Sequence, residues 1–146
     1  MRTDKVVLSF IFFVCFALTV VILVTDQNLQ TNLGAVKPYF IHWYGLLITG
    51  FVDLIGGVLF LVRRNPPLFV ASIWFVFMPI FMVADTLTYA EVFFNSPAQF
   101  AVYLFGFNKF PGTLAYIPGL FDALFALYIL GFLACVLVCR KRLVTN

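Results

Sequence analysis

The sequence predicts an all-α, polytopic integral membrane protein: a four-transmembrane-helix bundle with a short extra interfacial helix in its second outer loop. Three observations carry that prediction. Of 146 residues, 64% are hydrophobic and 10% charged, whereas soluble domains hold roughly half apolar and a quarter charged residues. The apolar residues fall into four runs, each close to the ~20 helical residues that cross a hydrocarbon core. The Lys and Arg residues gather in alternate connections between those runs. Because lipid offers no hydrogen bonds to a backbone, helix is the state expected for each run. The whole chain, 1–146, reads as a single membrane domain.

The first span is expected at residues 6–24, after Arg2 and Lys5. It is longer than the apolar core of a cleaved signal and ends VILVTDQ, without a small-residue cleavage site, so it reads as a retained signal anchor. A polar outer loop over 25–39 follows. The second span covers 40–62 and is closed by RRNPP. There Pro66 and Pro67 end one helix and pre-set the first turn of the next. The third span is expected at 68–88. Inside it Pro79 lacks an amide proton and leaves the Phe75 carbonyl without its usual partner, which predicts a kink. In the second outer loop, NSPAQ looks like a helix start, with Ser96 as N-cap and Pro97 at the first helical position. The stretch 97–107 is too short to span, and its aromatic load suits the headgroup level. The fourth span is expected at 118–139.

Charge placement sets the expected orientation. Arg2, Lys5, Arg63, Arg64, Arg140, Lys141 and Arg142 fall on one side of this scheme, Lys37 and Lys109 on the other. Short loops rich in Lys and Arg stay in the cytoplasm. A multi-pass protein of the cell membrane is therefore expected, with both its N- and C-termini cytoplasmic.

Polar residues inside the spans are the informative ones. At 100° per residue, His42, Gly45, Thr49, Asp53, Gly56 and Phe60 share one face of the second helix. Small residues allow close helix approach in lipid and polar ones bond across the contact, so this stripe is expected to face inward or toward another subunit. Gly119, Asp122, Ala123, Ala126, Leu130 and Ala134 share a face of the fourth helix. The expected packing sets it against the second, with Gly45, Gly56, Gly119, Ala123 and Ala126 as contact residues. Asp85 shares a face of the third helix with Trp74, Met78 and Thr88.

Asp53 draws the sharpest questions, because a central carboxylate costs about 2.5–3.5 kcal/mol to insert. It can serve as a proton or cation site, be protonated and bond a neighbouring helix, or pair with a base on a partner. No intramembrane Lys or Arg exists in the chain to neutralise it. Thr49, Asp85 and Asp122 complete the set of candidate ion or partner contacts. At 1.5 Å per residue Asp53 lies ~18 Å below His42, whereas Asp122 and Asp85 lie near the outer ends of their helices. His42, Asp85 and Asp122, joined by Glu91, therefore form a possible metal group, an imidazole with carboxylates suiting zinc, iron or manganese. The spacing is no local motif, and His42 beside Trp43 and Tyr44 equally reads as an interfacial anchor.

Other chemistry is excluded or unsupported. Cys15, Cys135 and Cys139 form no CxxC pair and read as small apolar side chains. A haem held by two histidines is excluded, because His42 is the sole histidine. No nucleophile elbow, P-loop or dinucleotide fingerprint occurs. No basic patch suits nucleic acid. The expected partners are the lipid bilayer and other membrane subunits or further copies of the chain. Three functions fit: an accessory or structural subunit of a larger membrane complex; an oligomeric proton- or cation-translocating protein using the intramembrane carboxylates; and a membrane metal-binding protein or enzyme with the outer His/Asp site.

Overall fold

The structure, a computed structural model, describes the backbone of residues 3–25, 37–93 and 120–145, and within them the side chains of 4–24, 44–84 and 122–141. These residues form four helices and no strand: α1 (Thr3–Thr25), α2 (Lys37–Val62), α3 (Leu68–Phe93) and α4 (Leu120–Thr145). Three carry apolar stretches long enough to cross a membrane, at Asp4–Val24, Tyr44–Val62 and Asp122–Lys141; α3 carries a shorter one, Leu68–Ala84. The expected interfacial helix at 97–107 lies outside the described residues.

The RRNPP turn behaves as its prolines dictate. The amide of Arg63 donates to the Leu59 carbonyl and closes α2, and the Pro67 carbonyl accepts from Ala71 to open α3. A proline carbonyl is free to take that first bond although its nitrogen has no proton to give. Farther along, α3 runs helically through Pro79 to Phe93.

Around the bundle the order is α2, α1, α4, α3, and sequential helices run antiparallel. α1 lies along both α2 and α4, α3 lies along α4, and α2 and α3 scarcely touch although a short turn joins them. Close approach between α1 and α2 depends on glycine. A Cβ on Gly56 would stand 2.7 Å from the Phe12 ring, and one on Gly57 would stand 2.9 Å from that of Phe13. Such separations are well inside van der Waals contact, so α2 offers α1 a groove where two phenylalanine rings rest on bare backbone. Ser9 of α1 adds a bond to the Gly57 carbonyl at 2.8 Å. Gly131 of α4 does the same for Phe75 of α3, where an added Cβ would collide with the ring.

Aromatic side chains fill the centre. The Phe12 and Phe75 ring centroids are 4.5 Å apart, Phe12 and Phe60 5.7 Å, and Phe75 and Tyr128 6.2 Å, all tilted. The outer surface is equally apolar: Phe10, Phe69, Ile80 and Leu137 are each more than half exposed. Such a surface in water would be a large aggregating patch; against acyl chains it is the ordinary exterior of a membrane bundle. Lys5, whose ammonium bonds the Arg63 carbonyl, shares one end of the molecule with Arg64, Arg140 and Lys141.

A buried carboxylate bonded by two aromatic donors

Asp53 sits one turn beyond Thr49 on α2 and is fully buried, as is Tyr128 of α4. Helical geometry turns both α2 residues to the same inward face. The Trp74 indole of α3 donates to Oδ1 at 2.9 Å, and the Tyr128 hydroxyl bonds Oδ2 at 2.5 Å. One carboxyl group thus ties three helices. An indole nitrogen can only donate, so Oδ1 is an acceptor; a phenol can donate to a carboxylate or accept from a carboxylic acid. The 2.5 Å separation falls in the range of charge-assisted O–H···O bonds. Where an isolated ion would be prohibitive, this carboxyl has a partner on each oxygen.

The surroundings grade from polar to apolar within one side chain. Cys15, fully buried, stands near both Asp53 and Tyr128. Thr19 is fully buried beside Tyr128, its hydroxyl turned toward the phenol but, among the described residues, outside full hydrogen-bond geometry with any partner. The buried Thr49 hydroxyl faces the Met78 sulfur at 4.0 Å, a weak contact. Two hydroxyls that sequence alone leaves open are committed to backbone: Ser9 to Gly57 and Ser72 to Leu68 of its own helix, at 2.9 Å.

The other expected site residues distribute unevenly. Gly45 lies toward Phe81, where an added Cβ would meet the ring at an ordinary 3.8 Å. Asp122 is partly buried in the first turn of α4. His42, Asp85 and Glu91 belong to α2 and α3, but their side chains lie outside the described ones, as does Gly119 altogether. Among the described residues no three His, Cys, Asp or Glu side chains gather as metal ligands.

The expected packing of the small-residue faces of α2 and α4 is corrected. Ala123 and Ala126 are exposed on the outward side of α4, and the face turned inward carries Leu124, Tyr128, Gly131 and Cys135. The reason is polar satisfaction: the rotation that would bury the alanines would carry the Tyr128 hydroxyl away from Asp53. Both helices do pack through glycine, but each against a phenylalanine of another neighbour.

Sequence reasoning missed Trp74 and Tyr128 as partners of Asp53. A signal was present. Tryptophan and tyrosine favour membrane interfaces, yet Tyr128 stands eight residues inside α4 and Trp74 six inside α3. An aromatic polar tip at that depth wants a hydrogen-bond partner. No protein-family model, curated protein or solved structure matches the chain.

Proposed function

We propose that the chain is a structural or accessory component of a membrane assembly, held in the cell membrane with both termini in the cytoplasm. One observation carries the reading: the carboxyl group that would be its reactive centre is engaged on both oxygens by Trp74 and Tyr128 of the same chain. The costly intramembrane acid then works as an internal fastener, and the exterior is left to lipid and neighbouring helices. Ala123 and Ala126 on the outward face of α4 support it, because short side chains let a neighbouring helix approach closely in lipid. Lys5, Arg63, Arg64, Arg140 and Lys141 support the orientation through the bias of cytoplasmic loops toward positive charge. The test is purification in mild detergent from its native membrane, with mass spectrometry of co-eluting chains. A defined partner in constant ratio supports the proposal, and a chain that elutes alone overturns it.

A second reading rests on the buried Thr19 hydroxyl beside the Tyr128 phenol. Thr19, Tyr128 and Asp53 line up three oxygen-bearing groups across α1, α4 and α2, the chemistry of a short proton relay. Proton flux in proteoliposomes measures it. Flux lost in Asp53→Asn favours the relay, and equal flux in variant and parent excludes it.

A further inference from the structure

A cleft opens between α2 and α3 on the side where those helices scarcely touch, with a volume of about 210 Å³. Its floor is made by Phe12, Phe60 and Ala71, all buried, and its lips by Ile55 and Val70, both more than half exposed. The Trp74 indole forms one end, its nitrogen already bonded to Asp53. Pro67 forms the other, in the turn that carries the exposed Arg63 and Arg64. The lining is hydrocarbon throughout apart from that indole nitrogen.

We infer that this cleft holds one hydrocarbon chain of an anionic membrane lipid, whose phosphate is held by Arg63 and Arg64. Two observations choose this occupant. The volume suits a segment of a single chain, whereas a helix with its side chains is about 10 Å across and has no room between the lips. The cleft also ends at the turn that carries the exposed Arg63 and Arg64, with the Lys5 ammonium bonded to the Arg63 carbonyl in the same turn. Guanidinium groups bind phosphate in a bidentate way, a headgroup of net negative charge adds an attraction that the choline cation of a zwitterionic one cancels, and basic pockets between transmembrane helices are recognised sites for anionic headgroups. A lipid chain there also fills the space left between α2 and α3 on the Pro67 side of the Trp74–Asp53 bond. The site is independent of the accessory role proposed above.

The test uses Trp74 as reporter. In the Trp43→Phe chain it is the sole tryptophan, and it lines the cleft. Vesicles of phosphatidylcholine receive increasing fractions of phosphatidylglycerol or phosphatidylcholine brominated on the acyl chain, and quenching of Trp74 fluorescence is followed. The expected result is quenching by the brominated phosphatidylglycerol that saturates at a mole fraction at least about fivefold lower than that needed by the phosphatidylcholine, since a single arginine near an anionic headgroup already supplies about that preference. Adding Arg63→Gln and Arg64→Gln should equalise the two lipids without removing quenching. Adding Ala71→Phe, which fills the floor, should weaken quenching by both. Equal quenching in the parent overturns the inference, and so does a preference that survives loss of both arginines. Absence of quenching by either lipid, with a second protein chain bound to the purified molecule, would assign the cleft to that chain and equally overturn it.

Discussion

At the scale of the residue, Asp53 decides most of what is specific in this interior. Removing the Tyr128 hydroxyl leaves Oδ2 buried without a donor. Tyr128→Phe is therefore expected to cost about 1–2 kcal/mol, the upper range of interhelical bonds in membranes and the desolvation of an orphaned acceptor. Asp53→Ala orphans both aromatic donors and should cost more. In the double variant the losses should fall short of their sum, the sign that they belong to one bond. Unfolding in mild detergent, followed by far-ultraviolet circular dichroism, reads all three. Thr19 predicts a different outcome. Its buried hydroxyl lies beside the Tyr128 phenol without a bond of full geometry, so Thr19→Val, nearly the same shape without the polar atom, should be neutral or slightly stabilising in the same assay. Of this site the sequence displays one member clearly. Asp53 stands out because a charge among leucines has no innocent explanation, whereas Trp74 and Tyr128 look like two more aromatic residues among many. Chemistry alone marks an acid in hydrocarbon; geometry is needed to find its donors.

At the scale of the element, glycine sets how near two helices come. Gly131 rests against Phe75 with room for nothing more, and Gly45 does not. Gly131→Ala is accordingly expected to lower stability by about 1–3 kcal/mol, the usual cost of overpacking, and to recover part of it when Phe75→Leu removes the ring. Gly45→Ala should be neutral or slightly stabilising, since a helical glycine gives way to a better helix former. Parallel melting curves of the three variants check the ranking. The existence of the helices was legible because about 20 uncharged apolar residues admit one interpretation in lipid. Their rotations were not. In water the apolar stripe of a helix points to the core, but here Phe10 and Phe69 are as apolar as Phe12 and Phe75 and face outward. Hydrophobicity thus carries no inside-outside signal, and small size alone does not tell which side of α4 Ala123 and Ala126 take, since close approach serves an outer neighbour as well as an inner one.

At the scale of the whole molecule, the antiparallel order puts the first residue of α1 and the last of α4 at the same end. Cysteines placed at Thr3 and Val144, in a chain whose own three cysteines are replaced by serine or alanine, should both react with a membrane-impermeant maleimide from one side of sealed vesicles. Labelling from opposite sides would refute the topology. The helix order also has a consequence for assembly. Cut at the RRNPP turn, the chain becomes two hairpins, one holding α1 and α2, the other α3 and α4. Asp53 belongs to the first and both its donors to the second, so the carboxyl acts as a latch across the seam. Halves expressed separately should find each other in the membrane, and Asp53→Ala should leave each half inserted yet weaken their union.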